Sequence, residues 1–230
     1  MEKRKTKIIA TVGPASVEES VFLKMIEEGV DIIRINTAYS SKEQLQRIED
    51  NMEKLPDGDK PEVIFDIRSI EVTDKITDYN PEMVAVSFSE SAKQLKAIKD
   101  KLGGCKIIAK IESNRGVENF EEILEFSWGV MIARGDLGVA ISLERVPCVQ
   151  KKFSKMVLEK GKFLIIATEM LLSMERNSQP TRAEASDVAN AVFSGACSVM
   201  LSEETAIGKY PVEAVRYMRK IIEEAEKCTC

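Results

Sequence analysis

One pattern constrains this chain more than any other: short apolar, β-type runs alternate with amphipathic helical runs along its length. The β-type runs lie at 6–12, 30–36, 62–68, 83–89, 105–112, 129–134, 163–169 and 197–202. Helical sequence separates most of them. "SVEESVFLKMIEEG" has Ser16 as its predicted N-cap and Gly29 as its stop. "SKEQLQRIEDNMEKL", "ESAKQLKAIKDKLGG", "GVENFEEILEF", residues 143–160 and "YPVEAVRYMRKIIEEAEK" read the same way. Thr181 and Glu184 form a Thr-x-x-Glu capping box that opens another helix. Eight such units in 230 residues predict an α/β fold, a closed (β/α)8 TIM barrel, as a single domain over 1–230. A doubly wound open sheet is the alternative. It is disfavoured because "TVGPAS", after the first strand, carries one glycine and no dinucleotide fingerprint. Only "SIEVTDKITDYNPE" lies between Arg68 and Met83, so the third helix is expected to be short or missing.

Composition removes several function classes. Net charge is −5, which gives no electrostatic footprint for nucleic acid. No apolar stretch is long enough to cross a bilayer, and the basic start "MEKRKTKII" leads only into a strand-length run. The chain has no histidine, which excludes Ser-His-Asp and Cys-His catalysis. Cys105 and Cys197 open apolar runs and read as core thiols, and the terminal "CTC" reads as a frayed tail rather than a metal site. A reduced, cytoplasmic protein is expected.

Barrel active sites sit at the C-terminal ends of the strands. Charged or polar residues gather there: Arg34 and Asn36, Asp66 and Arg68, Lys110 and Glu112, Arg134 and Asp136, Thr168 and Glu169, then Ser202, Glu203 and Glu204. Lys110 and Glu112 are two apart on one strand and so share a face. Taken alone they could be an ion pair closing the barrel top. Charges on most strand ends favour a functional site, because burying them without a ligand is costly. Glu112 and Asp136 suit Mg²⁺ or Mn²⁺, leaving positions for water and substrate oxygens. Lys110 beside such a cation could stabilise an enolate or a transferring phosphoryl group. In "ARGDLG" Gly135 allows close backbone approach and opens a short helix whose free N–H groups could hold an anion, although an Arg134–Asp136 surface turn is a fair alternative.

Together "TKIIATVGPAS", "KIIAKIESNRGVENFEEIL", "GVMIARGDLGV", "IIATEMLLSM", "PTRAEASDVANAV" and "MLSEETAIGKYPVEAV" resemble the barrel of the pyruvate kinase family, in order and spacing. The resemblance is strong from Cys105 to Glu226 and recognisable from Thr6 to Asp66. It implies that Lys110 stabilises the phosphoryl group in transfer and that Glu112 and Asp136 bind Mg²⁺ or Mn²⁺. It implies that Gly135 and Thr168 contact the carboxylate region of phosphoenolpyruvate or pyruvate, and that Arg34 contacts phosphate. Asn36 and Asp66 would be the remaining ligands of a K⁺ site. Self-association as a homo-oligomer, partly through the retained segment after the seventh strand, is also implied.

The departures fall on the nucleotide side. The family reads R-L-N-F-S-H-G where this chain reads "RINTAYS": Ala38 replaces a potassium-ligating serine and Tyr39 a nucleotide-contacting histidine. Ile67 removes a further potassium ligand, so little K⁺ activation is expected. The family's lid domain, inserted after the third strand, is absent, and "SFSES" lacks an arginine. Glu169 and Glu203 replace a glutamine and a glycine. Three readings follow: a minimal kinase using phosphoenolpyruvate and ADP, a metal-dependent pyruvate-enolate lyase, and a non-catalytic phosphoenolpyruvate sensor.

Overall fold

The computed structural model describes residues 4–228. Its strands are β1 Lys7–Thr11, β2 Ile32–Asn36, β3 Glu62–Ile67, β4 Met83–Val86, β5 Lys106–Ile111, β6 Gly129–Ala133, β7 Phe163–Ala167 and β8 Ser198–Leu201. All pair in parallel and in sequence order, and β8 returns to β1, so the barrel is closed as expected.

The near-continuous apolar strands follow from burial on both faces. Ile9, Ile32, Ile64, Ile108, Met131, Ile165 and Met200 fill the barrel interior. Their neighbours Ile8, Ile33, Phe65, Ile107, Val130, Ile166 and Val199 point outward into the layer beneath the helices.

The helices are α1 Glu19–Glu27, α2 Lys42–Glu53, α3 Ala92–Lys101, α4 Asn114–Glu118, α5 Phe120–Phe126, α6 Arg134–Ile141, α7 Val146–Glu159, α8 Arg182–Phe193, α9 Glu203–Ala206 and α10 Pro211–Lys227. On α10 one stripe, Ala214, Val215, Met218, Ile222 and Ala225, is buried, as helical spacing dictates. The capping box on α8 is formed at both of its bonds.

Ser16 does not cap α1. The helix starts at Glu19 with Glu18 at the cap position, and the Ser16 hydroxyl instead accepts from the Gly13 N–H at 3.1 Å. Between β3 and β4 the chain makes two 3₁₀ turns, Ile70–Lys75 and Thr77–Tyr79, in place of a crossover helix. Cys105 is buried, Cys197 is half-buried and Cys228 is exposed, while Cys230 lies outside the described residues. Among the described residues no helix is long and apolar enough to cross a membrane.

Candidate active site

The period-two alternation that sends Ile32, Ile64 and Ile108 into the barrel also sends the residues two positions later inward, one layer higher. Those residues are Arg34, Asp66 and Lys110. The same rule brings Thr11 above Ile9, Ser87 above Ala85 and Ser202 above Met200. An apolar plug is thus topped by a polar layer, and above it opens a cavity of about 770 Å³.

That layer is a connected network. Asp66 accepts from Arg34 Nε at 2.8 Å, from Ser87 Oγ at 3.1 Å and from Lys110 Nζ, 3.0 Å from the nearer oxygen. Lys110 Nζ also donates to Ser87 Oγ at 2.9 Å and stands 2.9 Å from Glu112 Oε1. The second Glu112 oxygen accepts from the Phe88 N–H at 2.7 Å. Arg34 Nη1 reaches Thr11 Oγ1 at 2.9 Å, and Thr11 Oγ1 donates to the Leu201 carbonyl. Lys110, Asp66, Arg34 and Glu112 are all buried. Burial pushes the Asp66 carboxyl up, but the Arg34 guanidinium and the Lys110 ammonium outweigh it and hold the group below the usual carboxylate range. The Lys110–Glu112 pair does form. It floors an open cavity instead of sealing the barrel.

A second group is set by strained backbone. Thr168 and Glu169 have φ of 68° and 55°, a region side-chain-bearing residues rarely adopt. Arg134 holds the turn: Nη2 donates to the Thr168 carbonyl at 2.7 Å, and Nη1 donates to Asp187 Oδ1 at 2.8 Å. Thr168 Oγ1 donates to the Ala167 carbonyl and accepts the Gly135 N–H at 2.7 Å. Of the N–H groups that open α6, that of Gly135, the second residue of the helix, is therefore taken by Thr168. Asp136, one residue on, is exposed and lines the cavity.

The structure thus brings Arg34, Asn36, Asp66 and Arg68 to one cavity with Lys110, Glu112, Asp136 and Thr168. Ser202 and Glu203 line it as well. Arg134 and Glu204 serve elsewhere. Glu204 is fully buried and accepts the Leu171 and Ser202 N–H groups at 3.0 and 2.7 Å. Burial raises its pKa, against the lowering effect of those N–H donors.

The sequence that builds this barrel mouth has known relatives. A sequence profile described as "Pyruvate kinase, barrel domain" matches residues 66–215. The chain belongs to the pyruvate kinase family. It is 40% identical over 228 residues to a pyruvate kinase of Geobacillus stearothermophilus, covering 96% of this chain and 37% of that relative. It is 50% identical over 151 residues to a pyruvate kinase of Chlamydia muridarum, covering 64% and 31% respectively. The Borreliella burgdorferi pyruvate kinase is 41% identical over 177 residues, 73% of this chain and 37% of that one. The chain thus spans about a third of the length of these curated relatives.

Sequence reasoning missed Thr11, Ser87 and the Phe88 N–H as members of the network. Thr11 and Ser87 were findable, since each lies two residues beyond an inward apolar side chain. Phe88 carries no such signal: its N–H reaches Glu112 from a residue with φ of 48°, which nothing in "SFS" foretells.

Proposed function

We propose that this protein acts on phosphoenolpyruvate or pyruvate with a divalent cation, as a pyruvate kinase-like phosphotransferase with a reduced nucleotide side. One observation carries the reading: the Lys110 ammonium is fixed by Asp66, Ser87 and Glu112 at the floor of the cavity that Asp136 and Thr168 also line. A cation pre-positioned in a site of low water content can offset charge developing on an enolate or phosphoryl oxygen without reorganising. Arg34, braced by Asp66 and Thr11, offers a second such charge.

Glu112 and Asp136 fit the divalent ion by donor chemistry. Among the described residues no group of three or more acidic, Cys or His side chains gathers at one point. Two carboxylates completed by water and substrate oxygens are what Mg²⁺ and Mn²⁺ accept. Bound there, such an ion would supply Lewis-acid charge neutralisation to a substrate oxygen. A K⁺ site is not supported, because the Asp66 carboxylate is already engaged by Arg34, Lys110 and Ser87, and Asn36 Oδ1 accepts from the Ala38 N–H.

A second reading, a metal-dependent pyruvate-enolate lyase, is favoured by the cation inventory. Of the three cations lining the cavity, Arg34 and Lys110 have carboxylate partners, which leaves Arg68, set 5.7 Å over the Phe88 ring, for a second anionic substrate. With no lid to position ADP and exclude water, phosphorylation of ADP is expected to run far below the rate of lid-bearing relatives.

The deciding experiment assays purified protein with phosphoenolpyruvate, ADP and Mg²⁺, with oxaloacetate decarboxylation in parallel. Lys110→Met should abolish whichever activity is found. Asp136→Asn should weaken Mn²⁺ binding, read by electron paramagnetic resonance. Unchanged Mn²⁺ affinity would remove the metal site, and activity persisting in Lys110→Met would remove the lysine's role.

A further inference from the structure

In a closed barrel of this kind each strand is followed by a helix that covers its outer face. Among the described residues β3 alone lacks one: after Ile67 come the two 3₁₀ turns and then β4. The first of these turns packs against α3, where Lys101 Nζ pairs with Asp74 at 2.7 Å. A groove of about 430 Å³ remains, lined by residues of α2, β3 and the second turn. Leu45, Ile48 and Met52 line it from α2, at the i, i+3, i+7 spacing of one helix face. Val63 and Phe65 come from β3, and Tyr79 of the second turn packs on Phe65 with ring centroids 5.6 Å apart. Met52, Val63 and Tyr79 are only half-buried. Elsewhere on the barrel the outer helices pack on one another: α1 on α2 and α10, α3 on α5, and α8 on α10. The face of α2 that lines the groove lacks such a neighbour, because no α-helix follows β3.

The free charges of the groove have one sign. Glu49, Glu62 and Glu82 line it and are exposed. Glu62 pairs with Lys7, whereas Glu49 and Glu82 have no ion-pair partner among the described residues. Lys60 is the one cation in the lining, and Asp57 holds it at 2.7 Å. Burial pushes the Tyr79 phenol pKa up, and the Glu49 and Asp78 carboxylates push it further. An apolar slot of helical pattern with unpaired carboxylates has a definite complement.

We infer that this groove docks an amphipathic α-helix of a partner protein, whose apolar stripe takes the place of the missing third helix and whose Lys or Arg flanks meet Glu49 and Glu82. Such a helix lays Leu, Ile or Met side chains, spaced i, i+3 or i+4, and i+7, against the stripe of α2 and the outer face of β3. The two unpaired carboxylates select basic flanks and repel acidic ones. The groove shares no lining residue with the cavity at the barrel mouth, so the inference does not depend on the chemistry proposed there.

The test titrates the full chain into fluorescein-labelled, amidated peptides of about 15 residues, long enough to form a helix, and reads anisotropy. The first peptide carries Leu at i, i+3, i+4 and i+7 with Lys and Ala elsewhere. The second has the same composition in an order that breaks the stripe, and the third replaces each Lys of the first by Glu. The Lys peptide should bind with a dissociation constant of about 10–100 µM. The reordered and Glu peptides should each bind about tenfold more weakly. Hydrogen exchange with the Lys peptide bound should slow in α2 and at residues 79–83. Glu49→Lys combined with Glu82→Lys should invert the order of the Lys and Glu peptides. Both residues are exposed, so this variant should keep the wild-type fold, checked by circular dichroism. The inference is overturned if the Lys peptide fails to bind at about 1 mM, or if the reordered peptide binds as tightly. It is equally overturned if the double variant keeps the wild-type preference, or if the protected amides lie at the barrel mouth instead of the groove.

Discussion

Asp66→Asn isolates the centre of the network. The carboxylate is 3% exposed and neutralises two buried cations, Arg34 of the adjacent β2 at 2.8 Å and Lys110 of β5, one strand further on than β4, at 3.0 Å. Asparagine keeps the shape and one acceptor but removes the charge. Lys110 retains Glu112 and Ser87, whereas Arg34 keeps only the Thr11 hydroxyl among its side-chain partners. Removing one partner of a buried ion pair costs roughly 3–5 kcal/mol, and the retained acceptor places this change near 3. With a urea m-value of about 3 kcal/mol/M for a chain of this size, the midpoint should fall by about 1 M at constant m. The single tryptophan, Trp128, precedes β6 at the opposite end of the barrel and stacks on Phe163, so its fluorescence reports global unfolding. Glu62→Gln, which breaks an exposed pair with Lys7, is the control and should cost no more than about 1 kcal/mol. Combining Asp66→Asn with Lys110→Met should cost less than the sum of the two, by about 1–3 kcal/mol. A midpoint shift below about 0.3 M, or strict additivity of the pair, would refute the claim that Asp66 is the counter-charge on which this layer depends.

Glu28, at the end of α1, is held below the usual carboxylate range chiefly by its hydrogen bond from Arg216, with Arg219 adding to it from the same helix. Its folded pKa is depressed, so its contribution is complete above the unfolded value near 4.3 and is lost as pH falls through the folded value. Glu28→Gln should therefore cost about 1–2 kcal/mol at pH 7 and progressively less as pH drops below about 4, measured by urea unfolding at each pH. A cost independent of pH would contradict the pairing. Gly13→Ala should destabilise by about 1–3 kcal/mol in thermal melts, because the new methyl meets the Ala206 backbone at 2.5 to 2.8 Å and no flexible side chain can yield. A neutral result would mean that the loop after β1 and α9 are not in firm contact.

The fold was legible because it depends on periodicity and on counting. Eight apolar runs separated by helical spacing leave few architectures, and 14 residues between Arg68 and Met83 cannot hold a full crossover helix. Errors came where local hydrogen bonding overrode a pattern. Ser16 had a cap-like position, yet its hydroxyl serves the Gly13 turn two residues after β1. The apolar runs at 83–89 and 163–169 read as strands to their last residues, but pairing stops at Val86 and Ala167. Each is turned by left-handed residues, Phe88 in one case and Thr168 with Glu169 in the other. No glycine marks those turns. What holds the second one is a long-range contact, Arg134 on the Thr168 carbonyl, which sequence neighbours cannot reveal.

The site was legible as a set of strand-end charges but not as a circuit, and the circuit is what shapes binding. Across β2, β3 and β5 the buried charges alternate in sign: Arg34, Asp66, Lys110, Glu112. This chain of pairs is neutral on its own, which lets it remain buried without a ligand. Asp136 adds an uncompensated negative charge at the rim. On the proposed reading, Glu112 and Asp136 would hold the divalent cation, and a Glu112 carboxylate so engaged would no longer neutralise Lys110, leaving Arg34, Asp66 and Lys110 with one net positive charge. An anionic acid would then meet an ammonium that shares only Asp66 and no longer two carboxylates. Cation and anion should therefore bind with positive coupling, each raising the other's affinity by the same factor, since linkage is reciprocal. The coupling runs through the Lys110–Glu112 contact, so removing the ammonium in Lys110→Met should strengthen cation binding while it abolishes the anion's response.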